Sequence, residues 1–233
     1  MSEMPVHAIA TDPPSHALRV VVDAGHGAQG NTGNTSVACE SEAAFTQRTQ
    51  DATLGWLHVF PGLELRSGRP PGELVAYDDR IAAFNAWPAD AVISVHSDSR
   101  AAANFAPDPA SGCWGASGEI GFSVLYSDDG APALVAARRR LADAMAGAMI
   151  EAGFSAYPGA DYPGLYDRVG EGVFVDRHAP GKRIKMLHAT AVPLVIVETH
   201  QALDRSDVAL WNEPQTQAAF ASAVYRAVVR AGE

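Results

Sequence analysis

The chain has no run of 18 apolar residues, so no segment reads as a membrane-spanning helix. It has only two cysteines, Cys39 and Cys113, and no C-x-x-C pair, so a cysteine-built zinc site is not indicated. Positive charge is scarce. Lys and Arg total 17 against 27 Asp and Glu, a formal net charge of −10, which argues against nucleic acid and anionic membranes as partners. The first 18 residues lack a basic start and an apolar centre, so they do not read as a secretory signal. Internal repeats, heptad runs and low-complexity tracts are missing as well. What remains is 233 residues of ordinary globular composition, 47% hydrophobic and 8% aromatic, suited to one domain with a sizeable core. Residues 1–17, with Pro13 and Pro14, read as a flexible leader, leaving 18–233 as the domain. Cys39 and Cys113 lie in loop-like stretches, and two cysteines fit either a disulfide or two free thiols.

Three stretches stand out. Residues 19–27, RVVVDAGHG, are a β-branched run that breaks into glycines on both sides of His26. Residues 90–97, DAVISVHS, repeat the pattern and end at His96. Residues 192–200, VPLVIVETH, are a third apolar run, ending at Glu198. In an open α/β sheet, ligands bind outside the carboxyl ends of the strands. Side by side and parallel, these three strands would bring His26, His96 and Glu198 to one point. Taken alone, His26 reads as a histidine in a turn and Glu198 as a helix-capping or salt-bridging glutamate. The coincidence of three is more specific than any one.

DAGHG, a glutamate heading the next helix, ADAVISVHSD and VPLVIVETH together resemble the zinc-dependent N-acetylmuramoyl-L-alanine amidases of the amidase-3 type, over about residues 19–229. The resemblance implies an α/β fold: a single three-layer domain, phosphorylase/hydrolase-like, with a mostly parallel central sheet flanked by helices. It implies one Zn2+ per chain, held by His26, a helix-leading glutamate and His96, with Glu198 catalytic. Glu40 and Glu42 both stand near that helix start, where carboxylates also complement the helix dipole. The phase of Phe45 and Thr46 favours Glu42, and Glu40 remains the alternative. The implied substrate is the amide between the lactyl group of N-acetylmuramic acid and L-alanine of the stem peptide. The partner is then peptidoglycan or muropeptides, and the location is periplasmic or extracellular.

Further expectations concern the connections. A helix over residues 40–57 would carry Phe45, Thr49, Ala52 and Trp56 on one face, and a second helix would span 73–87. Arg80 and Asn85 fall where the family carries an arginine and an asparagine, and they also read as a helix-to-sheet salt bridge and a cap. Residues 98–119 are long for a connection and read as a lid or binding loop. Residues 155–183 read as an irregular surface segment offering Tyr162 and Tyr166 to a ligand, or as a self-packed loop. Residues 184–187 read as a short strand. Most family members follow the catalytic glutamate with a small residue and phenylalanine, whereas this chain has Thr199-His200-Gln201. On a continuing strand His200 would face the same side as Glu198, giving a polar contact to substrate or, less readily, a closing zinc ligand. Two other functions fit the same residues: a zinc amidohydrolase or carboxypeptidase-like enzyme acting on a small acyl-amino acid, favoured by a deep arginine-lined pocket, and a non-catalytic binding module, favoured by a closed metal sphere.

Overall fold

The computed structural model describes residues 12–100, 103–160, 162 and 164–233. Most of the expected leader, residues 1–11, lies outside the described residues. The elements follow as β1 (Leu18–Ala24), α1 (Glu42–Leu57), β2 (Leu63–Ser67), α2 (Tyr77–Ala86), β3 (Ala91–Asp98), β4 (Ala103–Pro107), β5 (Trp114–Ser117), β6 (Ser123–Tyr126), α3 (Pro132–Glu151), β7 (Tyr166–Gly170), β8 (Val173–Asp176), α4 (Lys185–Ala189), β9 (Leu194–Gln201), α5 (Arg205–Trp211) and α6 (Pro214–Gly232).

Seven strands form one sheet in the order β2-β1-β3-β9-β6-β8-β7. The pairs β2–β1, β1–β3, β3–β9 and β6–β8 are parallel, while β6–β9 and β7–β8 are antiparallel. The runs of Val and Ile that mark β1, β3 and β9 have the composition of strands covered on both faces. Val20, Val22, Ile93, Val95, Val195 and Val197 pack under α1, α3 and α6. Val21, Val92, Leu194 and Ile196 pack against α2 and α4 on the other face. This is the three-layer α/β domain with a mostly parallel sheet that the sequence implied.

The chain leaves β1 for the edge strand β2 and returns to the other side of β1 as β3. Such a reversal opens a crevice at the carboxyl ends of the two central strands. β9 then lies against β3 in register, His96 opposite Glu198. The sheet thus delivers the three singled-out side chains to one edge.

Several connections depart from expectation. α1 starts at Glu42, capped by Ser41, whose hydroxyl accepts from the Ala44 amide at 3.3 Å. Its buried face holds Phe45, Thr46, Thr49, Gln50, Thr53 and Leu57, while Trp56 is 48% exposed. The face is rotated because polar residues are needed at the strand ends. Thr46 donates to the Gly25 carbonyl at 2.7 Å, and Gln50 accepts from the Ala24 amide at 3.0 Å. α2 begins only at Tyr77, because the preceding backbone is engaged elsewhere, the Val75 amide donating to the Gly27 carbonyl. Within residues 98–119 lies the two-stranded hairpin β4–β5, joined to the loop before α1 by a Cys39–Cys113 disulfide. Its 74-residue separation removes about 4 kcal/mol of loop entropy from the unfolded chain on the chain-entropy view. Residues 155–183 contain β7 and β8, and Tyr157, Tyr162 and Phe174 are buried rather than offered at the surface. The segment expected as a strand at 184–187 is the helix α4. Among the described residues, no helix is long and apolar enough to cross a membrane.

Candidate metal centre

His26 and Gly27 adopt positive φ, 58° and 67°, so the chain leaving β1 turns sharply and holds the imidazole over the crevice. Gly25 has a different task. A Cβ there would overlap the His96 ring, which lies against the Gly25 backbone. Gly33 has φ +72°, and a Cβ on it would overlap Glu42 and His26. Arg80 of α2 fixes the turn from behind. Its guanidinium is buried and donates to Asp23 Oδ1 at 3.2 Å, to the Ala24 carbonyl at 2.8 Å and to the His26 carbonyl. It is therefore the helix-to-sheet salt bridge anticipated from sequence.

Glu42, in the first turn of α1, lies between the two histidines. Its Oε2 is 3.0 Å from His26 Nε2, and its Oε1 is 3.1 Å from His96 Nδ1. The donor atoms of the three residues all lie within 4.8 Å of one another. Glu40 points away and pairs with Arg48 at 2.8 Å. Burial pushes the Glu42 carboxyl up, but hydrogen bonds and charge from His26 and His96 outweigh it and hold the group below the usual carboxylate range. Burial likewise disfavours protonated His26, yet its contacts with Glu42 raise its pKa above the ordinary 6.5.

Two asparagines complete the cradle. Asn31 Oδ1 lies 2.8 Å from His26 Nδ1, and Asn31 Nδ2 donates to the Tyr77 hydroxyl at 2.9 Å. With Oδ1 as acceptor, the ring proton sits on Nδ1 and the Nε2 lone pair is free for a ligand role. Asn34 donates to Glu42 Oε2 through its backbone amide at 3.0 Å and its side chain at 2.8 Å, and the Ser97 amide donates to Glu42 Oε1 at 3.0 Å. Asn34 Nδ2 also donates to the Ser97 carbonyl at 2.7 Å, tying the loop to the end of β3.

Glu198 stands on the neighbouring strand, paired with His96 across the ladder. Its Oε2 is sealed from solvent and has no hydrogen-bond partner among the described residues. Burial first, then the charges of Asp98 and Glu42, push its carboxyl well above the usual range, with Arg100 acting against them. Asp98 accepts from Arg100 Nε at 2.8 Å and from the Tyr162 hydroxyl, which also meets Ser123 Oγ at 2.9 Å. Arg100 lies over the Tyr157 ring, 3.8 Å from its centre. Tyr162 is therefore a buried strut under the site, 6% exposed, and not part of a rim. Tyr166 is half-buried, its ring 4.6 Å from that of Tyr162, and burial with the charges of Glu198 and Asp98 raises its hydroxyl pKa.

His200 does not face the same side as Glu198. After the His96–Glu198 pair the register shifts, so that Asp98 pairs with Gln201. One extra residue enters β9, and a bulge of this kind reverses the alternation of sides beyond it. His200 is 2% exposed and packs edge-on to Phe45 at 4.7 Å and parallel to Trp211 at 5.8 Å, both in the core under α1, α3 and α6. Its Nδ1 meets Thr199 Oγ1 at 2.9 Å, and burial lowers its pKa to about 3, so it is a neutral core side chain. It is not in the three-residue cluster.

A family model described as N-acetylmuramoyl-L-alanine amidase matches residues 20–230. The chain belongs to the N-acetylmuramoyl-L-alanine amidase family. Solved structures of the same architecture include an apo N-acetylmuramyl-L-alanine amidase of Mycobacterium abscessus, 21% identical with a TM-score of 0.72, the match covering 94% of this chain and 100% of that one. The Mycobacterium smegmatis enzyme is also 21% identical, with a TM-score of 0.69 over 91% and 95% of the two chains. An N-acetylmuramoyl-L-alanine amidase of Nostoc punctiforme is 20% identical, with a TM-score of 0.63 over 91% and 94%. No curated protein matches the chain. In this amidase, sequence reasoning missed Asn31, Asn34, Asp98 and Arg100. Residues 29–36, QGNTGNTS, have the composition of a loop, yet two amides between a histidine and a glutamate are a usable signal for hydrogen bonds that orient both.

Proposed function

We propose that this amidase is zinc-dependent and hydrolyses the amide between the lactyl group of N-acetylmuramic acid and L-alanine of the stem peptide. The observation that carries the reading is the convergence of His26, Glu42 and His96, with donor atoms within 4.8 Å. Two imidazoles and a carboxylate are a zinc donor set that leaves a fourth position for water. Glu42 Oε2 lies 3.0 Å from His26 Nε2 and its Oε1 3.1 Å from His96 Nδ1, so both imidazoles face the one carboxylate. Gly25 and Gly33 keep clear the space that a side chain would fill. Bound there, zinc would acidify a water and polarise the scissile carbonyl.

The remaining work falls to this chain's own side chains. Glu198, with a sealed and unpartnered Oε2, is the group we assign to take the proton from the attacking water and return it to the departing amine nitrogen. A carboxyl whose pKa is raised by burial and by neighbouring carboxylates is matched to giving a proton back as well as taking it. Asn31 orients His26, Asn34 and the Ser97 amide orient Glu42, and Arg80 holds the His26 turn. Tyr166, half-buried near Glu198, is the side chain we assign to substrate contact. The partner is peptidoglycan or a muropeptide, which places the activity outside the cytoplasmic membrane. A fourth metal ligand from His200, the feature of a closed and inactive sphere, does not fit its place in the core. The test is elemental analysis with a sacculus digest. The expected result is about one zinc per chain and release of free stem peptides that begin with alanine. Zinc-loaded protein that leaves sacculi and muropeptides intact would overturn the reading.

A further inference from the structure

The hairpin β4–β5 carries features that the reaction at the metal centre does not use. Ala106 pairs with Gly115, and Pro107 with Trp114. The Gly115 side is packed inward. A Cβ on Gly115 would press on Val37 at 2.9 Å, and the Ala116 amide donates to the Leu203 carbonyl at 3.0 Å. The same hairpin carries Phe105, 52% exposed, and Trp114, 58% exposed. Two large rings in water on one short hairpin mark a contact surface. Asp108 is the one charged residue in 103–117, and it is paired with Arg205. The platform is therefore neutral and apolar, which disfavours a charged peptide or an anionic surface as its occupant.

Its position is equally specific. The hairpin leaves the end of β3 just beyond His96 and Asp98, and the Cys39–Cys113 bond ties its tip to the loop that leads into Glu42. Val37, beneath it, donates its amide to the Ala202 carbonyl just after β9 at 2.8 Å. The disulfide and these backbone hydrogen bonds tie the hairpin to the segments before α1 and after β9, which lowers the ordering entropy lost when something docks on it.

We propose that Phe105 and Trp114 form a glycan platform, on which the C–H faces of pyranose rings in the sugar strand stack while the attached amide enters the metal centre. This deepens the amidase reading and rests on it for the polymeric nature of the substrate. It assigns to the hairpin the holding of the polymer, and leaves cleavage to the site. Neither ring is part of the catalytic machinery, so their loss should separate the two.

The experiment compares wild type, Phe105→Ala, Trp114→Ala and Trp114→Phe in three assays: co-sedimentation with purified sacculi, calorimetric binding of N-acetylglucosamine oligomers, and turnover of a soluble muramoyl peptide carrying a single sugar. Each alanine variant should bind sacculi and oligomers about tenfold more weakly, the effect of truncating an aromatic anchor. Both should cleave the soluble fragment within about twofold of wild type, which also shows that they fold, and Trp114→Phe should keep most of the binding. Alanine variants that hold sacculi as tightly as wild type would overturn the platform. So would wild type that fails to bind the oligomers, or a concentration-dependent dimer abolished by Trp114→Ala, which would make the patch a self-association surface. Wild type that binds glycan but cleaves nothing would sink the amidase reading and leave the platform standing.

Discussion

The two walls of the crevice are built on opposite terms. On the β1–α1 wall, both ring nitrogens of His26 face an oxygen, and Glu42 receives contacts from two imidazoles and three N–H donors. On the β9 wall, Glu198 keeps a sealed oxygen with no partner among the described residues. The electrostatics follow the same division, with the Glu42 carboxyl held down by its neighbours and the Glu198 carboxyl pushed up by burial and like charge. A saturated, charge-balanced carboxylate is suited to holding still, and an unsaturated one to exchanging a proton. Two glutamates in one small site can therefore be told apart by counting their donors.

Exchanging each carboxylate for its amide puts that contrast under the greatest load. Glu198→Gln should retain zinc, because Glu198 lies outside the donor cluster, and should lose about 10²–10⁴ in kcat on a soluble muramoyl peptide. Glu42→Gln should lose the metal itself, read by elemental analysis after dialysis. Equal metal loss in both variants would erase the distinction between the walls. Full activity in Glu198→Gln would remove the proton-transfer role.

A smaller effect tests how far saturation matters on the first wall. Asn31→Ala removes the acceptor facing His26 Nδ1 while leaving all three ligands in place. Zinc affinity should fall about 10–100-fold in a competition titration against a chelator, with kcat of the loaded enzyme much less affected. Unchanged affinity would mean that the positive-φ turn and Arg80 alone orient the ring.

Much of this arrangement is legible in the amino-acid sequence. β1, β3 and β9 stand out as β-branched runs because strands covered on both faces must be apolar throughout, and their terminal His26, His96 and Glu198 fall at one edge by topology alone. What the sequence hides depends on contacts between distant segments. The buried face of α1 turns away from Trp56 because Thr46 and Gln50 must satisfy backbone groups at the end of β1 and after β2. Tyr162 has the sequence setting of a surface aromatic, but its hydroxyl is held by Asp98 and Ser123. Glu42 and Glu40 differ by two residues at a helix start, and it is the approach of both His26 and His96 to Glu42 that separates them.

The subtlest failure of sequence reasoning yields the last test, which concerns two residues on the same wall. Period-two alternation places His200 beside Glu198, and one bulged residue sends it into the core instead. The consequence is measurable as a pH dependence of stability. The buried imidazole has its pKa lowered to about 3, whereas in the unfolded chain it titrates near 6.5. Between those values the unfolded chain takes up a proton that the native state refuses, so stability falls as the pH falls through this window. The loss approaches about 1.4 kcal/mol per pH unit for one such group. His200→Gln removes the titration and keeps a polar group beside Thr199. The wild-type urea midpoint should therefore drop relative to the variant between pH 6.5 and pH 4, with metal stripped from both so that only the protein titrates. Carboxylates and His26 titrate equally in the two proteins and cancel in the difference. A gap between the two midpoints that stays constant with pH would show an imidazole free to take its proton, on the Glu198 side of the strand and not the Trp211 side.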